Sequence, residues 1–77
     1  SWKGVLAVPN PFIGRTSLAG VSGEDVALWQ LWDAEGRRVD AMWTPLGTEV
    51  ALTSALPAGM YTLTSPARRG ALRLVAQ

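Results

Sequence analysis

The stretch LPAGMYTLTS, residues 56–65, combines a turn signal with a regular alternation of side chains. Pro fixes φ and Gly tolerates positive φ, so Pro-Ala-Gly at 57–59 predicts a turn. After that turn, one face of the segment carries Tyr61, Leu63 and Ser65. The opposite face carries Met60, Thr62 and Thr64. This two-residue period predicts a half-buried β-strand, and Leu72 and Leu74, alternating with Arg73 and Val75, repeat it near the end of the chain.

Similar turn signals divide the rest of the chain into short segments. The eight Gly and five Pro are spread over 77 residues, which leaves little room for a helix bundle. Turns are expected at 9–11, 20–23, 34–36, 45–47, 57–59 and 66–70. The segments between them predict about seven strands, at 3–8, 13–19, 26–33, 37–43, 48–56, 60–65 and 71–76. We therefore expect one domain, residues 1–77, folded as an all-β, Ig-like antiparallel β-sandwich with no long helix.

Residues 24–35 are the ambiguous part of this pattern. Ser22 with Asp25 resembles a capping box and Gly36 suits a helix C-terminus, but two Trp in four residues favour a strand. In such a strand, one face would carry Ala27, Trp29 and Leu31. The other face would carry Leu28, Gln30 and Trp32. Trp29 is therefore a core candidate, with Tyr61, Leu63 and Leu74, whereas Trp32 and Leu28 are candidates for a docking surface.

The amino-acid composition excludes several kinds of catalytic and metal-binding site. The chain has no His and no Cys, which removes disulfides, thiolate nucleophiles, most zinc sites and the usual general base. Its carboxylates at Glu24-Asp25 and at Asp33 and Glu35 lie in predicted turns, where solvated capping is a simpler interpretation than a calcium site. We expect no catalytic residue, no cofactor and no metal. The net charge of +1 and the absence of a long apolar run predict neither nucleic-acid binding nor membrane insertion.

The Arg and Trp residues each allow two interpretations. Arg37-Arg38, Arg68-Arg69 and Arg73 would form an anion-binding patch if they met on one face, although paired Arg in solvated turns is the simpler interpretation. The four Trp imply either a core built from large rings or a stacking platform for sugars or bases, with Trp32 or Trp43 exposed. The chain starts at Ser1 rather than Met, which suggests a segment of a longer protein.

Four landmarks occur in a specific order: PNPF at 9–12, LWDAEGRRV at 31–39, LPAGMY at 56–61 and LRLV at 72–75. Together they resemble the type A C-terminal sorting domain of the type IX secretion system, whose pattern is YPNP, D-x-x-G-x-x-V, L-x-x-G-x-Y and a basic K-L-V-like ending. The matching positions are Pro9, Asn10, Pro11, Asp33, Gly36, Val39, Leu56, Gly59 and Tyr61. The chain departs from the pattern at Val8, which replaces an aromatic residue, and at Arg69 and Arg73, which replace Lys. Its Ala76-Gln77 ending is also less basic.

The resemblance implies a secretion address at the end of a larger cargo protein. Such a domain is recognised in the periplasm by the type IX translocon, passed to a PorV-type shuttle barrel and usually removed by a PorU-type sortase, so that the cargo reaches the cell surface or is secreted. The domain would be a ligand and a substrate, not an enzyme. The recognition residues expected in the last turn and strand are Arg68, Arg69, Gly70, Arg73, Leu74 and Val75.

Three alternatives remain beside this expectation. A terminal strand has an edge that is free to pair with a receptor, or with a second copy to form an edge-strand dimer. The same strand would equally serve only to close the sandwich, because Leu72 and Leu74 must be buried in either case. The whole chain would also fit a generic Ig-like surface module or a carbohydrate-binding module of an extracellular protein.

Overall fold

The computed structural model describes residues 1–77 and contains eight β-strands and one short 3-10 helix at Val26–Leu28. The strands are β1 (Leu6–Val8), β2 (Thr16–Ala19), β3 (Gln30–Trp32), β4 (Arg38–Val39), β5 (Trp43–Leu46), β6 (Glu49–Leu52), β7 (Gly59–Thr64) and β8 (Leu72–Ala76). The prediction of an all-β chain without a long helix is confirmed, with one strand more than expected.

The strands form two antiparallel sheets of four strands each. The first sheet has the order β1-β2-β6-β5 and the second has the order β4-β3-β7-β8. This is the strand order of an immunoglobulin-like sandwich, in which a four-stranded sheet packs on a three-stranded one. Here β4 adds an edge strand to the second sheet, which explains the additional strand.

The chain changes sheets earlier than the sequence pattern indicated. The strand expected at 37–43 is divided, because β4 ends at Val39 and residues 40–42 cross to the first sheet, where Trp43 begins β5. The turn expected at 45–47 is also wrong, since Pro45 and Leu46 belong to β5 and the turn lies at Gly47-Thr48. Pro45 is tolerated there because β5 is an edge strand, where one row of backbone groups has no partner strand.

The ambiguous segment combines a helical turn with a strand. The Asp25 carboxylate accepts a hydrogen bond from the Ala27 N–H at 3.1 Å, and the Trp29 N–H donates to the Val26 carbonyl at 3.1 Å. This cap starts the 3-10 helix, so the strand prediction for 26–33 holds only from Gln30 to Trp32. Ala27 is consequently exposed, and the prediction that it shares one strand face with Trp29 and Leu31 was wrong.

The core lies between the sheets and contains all four residues proposed for it. Trp29, Tyr61, Leu63 and Leu74 are buried, together with other residues of both sheets and of the N-terminal segment. The full cluster is Trp2, Ala7, Phe12, Leu18, Val21, Trp29, Leu31, Val50, Leu52, Tyr61, Leu63, Leu74 and Ala76. Trp29 packs edge-to-face against Trp2 and Trp43, with ring centroids 6.1 and 5.1 Å apart. Trp43 is half-buried and packs against the core, which argues against it as an exposed stacking platform.

Candidate functional site

The motif segments meet at one end of the sandwich. In the register of the second sheet, Trp32 lies opposite Thr62, and Gly59 lies opposite Ala76. The end of β3, the start of β7 and the end of β8 are therefore neighbours. We call this region the motif end and define it by residues 10–12, 33–37, 57–59 and 75–77. Segments that are far apart in sequence form one surface there.

The Asn-Pro segment binds the last strand. The Asn10 side chain donates from Nδ2 to the Arg73 carbonyl (3.0 Å) and accepts at Oδ1 from the Val75 N–H (2.9 Å). Phe12 continues this pairing, because its N–H donates to the Val75 carbonyl (2.9 Å) and its carbonyl accepts from the Gln77 N–H (2.8 Å). The outer edge of β8 is therefore occupied from Arg73 to Gln77. The expectation that this edge is free to pair with a partner was wrong, because the sequence pattern did not show where residues 10–12 return.

Pro9 and Pro11 shape the segment that makes this contact. Both follow cis peptide bonds, after Val8 and Asn10 respectively. The Pro9 carbonyl accepts a hydrogen bond from the Thr16 hydroxyl at 2.6 Å, which ties the segment to β2. The two prolines thus flank Asn10, the side chain that binds β8.

Asp33 organises the turn between β3 and β4. Its Oδ1 accepts hydrogen bonds from the N–H groups of Glu35 (3.0 Å) and Arg37 (2.9 Å), and its Oδ2 accepts one from Arg37 Nε (3.0 Å). Gly36 has a φ of +80°, which Gly adopts without steric cost. Val39 then pairs with Leu31 and packs against the core. The D-x-x-G-x-x-V motif therefore builds a capped hairpin.

The stability of this hairpin should depend on pH through the charge state of Asp33. The backbone N–H of Arg37, with smaller contributions from the Arg37 side chain and the Glu35 N–H, lowers the pKa of Asp33 below its ordinary value. Because the folded-state pKa is the lower one, the stabilisation is complete above the unfolded pKa of about 4 and is lost as the pH falls through the folded pKa. We expect Asp33→Asn to lower the Tm at pH 7, and the difference from the wild type to shrink below about pH 4. Thermal melts between neutral and acid pH measure this.

A matched control is Asp40→Asn, which removes a carboxylate that makes no hydrogen bond in the structure. It should leave the Tm at pH 7 nearly unchanged. Equal Tm values for the wild type and Asp33→Asn at pH 7 would contradict a capping role for this carboxylate.

The L-x-x-G-x-Y motif builds the neighbouring corner. The Tyr61 hydroxyl donates a hydrogen bond of 2.6 Å to the Pro57 carbonyl, while its ring is buried in the core. A tyrosine that binds backbone upstream of its own strand is a known corner of Greek-key sandwiches. Leu56 packs against the core, and Gly59 begins β7 at a position where a Cβ would lie 4.0 Å from the Tyr61 ring. The Asp33 turn and this corner flank a cleft of about 320 Å³.

Arg68 lies at the opposite end of the sandwich, where its side chain hydrogen-bonds to three residues that are distant in the sequence. Its Nε donates to both carboxylate oxygens of Glu24 (3.1 and 3.0 Å), Nη1 donates to the Ser1 carbonyl (2.8 Å) and Nη2 to the Gly20 carbonyl (3.2 Å). Its guanidinium also lies over the Trp2 ring, 5.1 Å from the centroid. Charge-assisted hydrogen bonds of this kind raise the pKa of Arg68 further. The side chain is only 18% exposed, so Arg68 is not the solvated turn residue that the sequence indicated.

The predicted recognition residues do not form one patch. Arg69 and Gly70 are exposed in the turn between β7 and β8, where the Gly70 carbonyl accepts the Trp2 indole N–H at 3.2 Å. Leu74 is fully buried in the core. Only Arg73, which is exposed, and Val75, which is half-buried, lie on the outer face of the second sheet.

Phe12 and Trp2 have structural contacts that the sequence pattern did not assign, and the interpretation of Glu24 as a solvated turn carboxylate was wrong, since its side chain is only 18% exposed and pairs with Arg68. Phe12 follows the predicted turn as a large apolar residue, which is a signal for a core position. Trp2 and Glu24 gave no comparable signal. The partner of Glu24 lies 44 residues further along the chain, a separation that local patterns do not resolve.

The chain was compared with known families, proteins and structures. No family model, curated protein or solved structure matches the chain. The resemblance to sorting domains therefore rests on the four motif segments. No group of three or more potential metal-ligating side chains is present, and none of the helical segments has the length and apolar character needed to cross a bilayer.

Proposed function

We propose that this domain is a sorting signal of the type IX secretion system. It acts as a ligand and not as an enzyme. It is recognised in the periplasm by the translocon, transferred to a PorV-type shuttle barrel and cleaved by a PorU-type sortase, after which the cargo is at the cell surface or secreted.

The observation that supports this proposal is the convergence of the motif segments. PNPF binds the terminal LRLV strand through Asn10 and Phe12, and the Asp33 turn lies beside the Tyr61 corner. A folded signal that is read by a receptor needs its separate segments on one surface. The motif end supplies such a surface, formed by the segments that carry the resemblance.

The occupied edge of β8 limits how a receptor could bind this domain. Strand addition to β8 between Arg73 and Gln77 would first have to displace Asn10 and Phe12. We propose instead that recognition uses exposed side chains along β8 and the turn before it, with Arg73 on the outer face of the strand and Arg69 in the turn opposite the motif end as two separate cationic contacts. An edge-strand dimer would have to use another edge strand. Of these, β5 contains Pro45 and β4 contains Arg38, whereas β1 contains neither Pro nor a charged residue.

The generic Ig-like module remains the second candidate function. The observation that favours it is that each motif segment already has a structural role: Asn10 closes the edge of β8, Asp33 caps a turn and Tyr61 forms a corner. Sandwich stability alone would account for these residues. Only an export assay separates the two candidates.

The export assay is a fusion of the 77 residues to a periplasmic reporter in a bacterium that has the type IX machinery. We expect the intact fusion to reach the cell surface or medium, and Arg69→Ala with Arg73→Ala to retain more reporter in the periplasm. Neither side chain makes a hydrogen bond or ion pair in the structure, so the loss of stability should be below about 1 kcal/mol. Reporter activity in the cell fractions is the measurement.

The matched control is Lys3→Ala with Arg15→Ala, which removes the same charge from two other exposed positions and should export normally. If the intact fusion stays in the periplasm, the domain belongs to the generic Ig-like class. If both double variants are exported like the intact fusion, Arg69 and Arg73 are not recognition contacts.

A further inference from the structure

The outer face of the second sheet places two arginines on either side of a tryptophan. Arg38 lies opposite Trp32, Trp32 lies opposite Thr62, and Thr62 lies opposite Arg73. These four residues therefore form one row across all four strands, which we call the Trp32 row. With neighbouring strands about 4.8 Å apart, its two ends are separated by about 14 Å at the backbone. The row joins two of the basic segments that are distant in sequence.

The charges of the row are uncompensated. Arg38 and Arg73 are both exposed, and neither side chain makes an ion pair, a hydrogen bond or a cation–π contact with the protein. The other strand residues on this face are Gln30, Met60, Thr64 and Val75, none of which is acidic. The arginine that does pair on the neighbouring turn is Arg37, which is held by Asp33. An anionic ligand would thus meet two free guanidinium groups.

Trp32 is held in a fixed orientation between them. It is half-buried, and its indole N–H donates to the Thr64 hydroxyl at 2.9 Å. This bond directs the indole toward the part of the face that contains Thr64. A fixed and partly accessible aromatic ring loses little conformational entropy when a flat ligand stacks on it.

A shallow recess adjoins the row on the Thr64 side. It has a volume of about 450 Å³, and its walls include Gln30, Arg38, Thr64, Leu28 and Pro66. Leu28 is 54% exposed and supplies the apolar wall of the recess. The recess therefore combines hydroxyl and amide groups with an apolar wall and a cation, which is the composition of a binding site for a polar ligand that has an apolar face.

We propose that the Trp32 row and its recess bind an acidic saccharide. The indole supplies the stacking surface for the C–H face of a sugar ring. The polar side chains of the recess bind hydroxyl groups, and Arg38 and Arg73 bind carboxylate, sulfate or phosphate groups on sugars along the row. This activity is separate from the proposed sorting function, because it also requires Arg38 and Trp32, which the export assay does not change; Arg73 is the one residue that the two proposals share.

Single-stranded nucleic acid is the other polymer with anionic groups and flat rings, and the structure favours it less. The chain has a net charge of +1 and a pI near 8.3, without the strongly basic field of nucleic-acid-binding domains. The row also offers a single aromatic ring, whereas stacking platforms for single strands use several. The hydroxyl and amide groups around Trp32 match sugar hydroxyls.

The test is a titration of the isotope-labelled chain at low salt with a galacturonic acid trisaccharide. A neutral galactose trisaccharide and a short thymidine oligonucleotide serve as comparison ligands. We expect saturable binding of the acidic sugar that shifts the indole N–H resonance of Trp32, and weaker binding of both comparison ligands. Arg38→Ala with Arg73→Ala should weaken this binding roughly tenfold or more, because it removes both charge-assisted contacts.

The matched control is Arg15→Ala with Arg69→Ala, which lowers the net charge equally but lies off the row. It should keep the affinity within about twofold. The proposal is overturned if the acidic sugar does not bind, if the neutral sugar binds as tightly, or if the control pair loses as much affinity as the row variant. Tighter binding of the oligonucleotide would assign the row to nucleic acid instead.

Discussion

Deletion of residues 74–77 should abolish folding of the domain. The deletion removes Leu74 and Ala76, which are 0% and 5% exposed and belong to the core cluster. It also removes the Val75 N–H that binds Asn10 and both backbone partners of Phe12 in β8. Truncation of one buried Leu to Ala alone costs about 2–5 kcal/mol, a large part of the 5–15 kcal/mol that stabilises a typical domain. Loss of the β-sheet circular dichroism signal and of NMR chemical-shift dispersion would report the unfolding.

This expectation bears directly on the assignment of recognition residues. Under the proposed sorting function, a reporter fused to the truncated domain would fail to be exported because the domain is unfolded, whether or not a receptor binds the last strand. Arg73→Ala is the matched control, since it changes the same strand on its exposed face and should remain folded. A folded truncated domain would show that Leu74 and Ala76 are dispensable for the core.

Truncation of Tyr61, which lies next to the motif end, to Ala should be strongly destabilising. It removes a buried ring and the 2.6 Å hydrogen bond to the Pro57 carbonyl, and we expect the free energy of unfolding to fall by about 3–5 kcal/mol. Tyr61→Phe keeps the ring and removes only the hydroxyl, so its cost should be about 1–3 kcal/mol. Urea denaturation followed by Trp fluorescence measures both values.

The neighbouring residue provides the control for Tyr61. Met60 lies on the opposite face of β7 and is 45% exposed, so Met60→Ala should change the free energy of unfolding by less than about 1 kcal/mol. Equal effects of Met60→Ala and Tyr61→Ala would contradict the assignment of Tyr61 to the core. A Tyr61→Phe variant as stable as the wild type would show that the corner hydrogen bond contributes nothing net.

The sequence predicted the fold where the pattern is local. Alternation in residues 60–65 and 72–75 identified β7 and β8, because one face of each strand is buried and the other is not. The turn at Gly36 was also identified by a residue that tolerates positive φ. The pattern failed at 26–28, where the Asp25 side chain caps a 3-10 turn, and at 40–42, where the chain changes sheets without a Gly or Pro. It failed again at Pro45, which lies within β5 and not in a turn.

The contacts of the candidate site were less accessible to sequence reasoning. Asn10 binds backbone groups more than 60 residues away, and Arg68 binds Glu24, Ser1 and Gly20 from a turn that looked solvated. Neither the alternation of side chains nor the turn signals carry information on such partners. The Trp32 row was likewise not predictable from the sequence, because it depends on the strand register and not on the spacing of Arg and Trp in the chain.

The attachment of both N-terminal anchors to the C-terminal hairpin has a consequence for biosynthesis. The Ser1 carbonyl is held by Arg68, and Phe12 is held by Val75 and Gln77. A ribosome or a membrane translocase delivers the chain from its N-terminus, so the first dozen residues emerge long before the partners that will hold them. These contacts join segments more than 60 residues apart, so they close only after the β7–β8 hairpin has been delivered. The native sandwich is therefore completed late, because its N-terminal segment has no partners until the C-terminal hairpin has emerged.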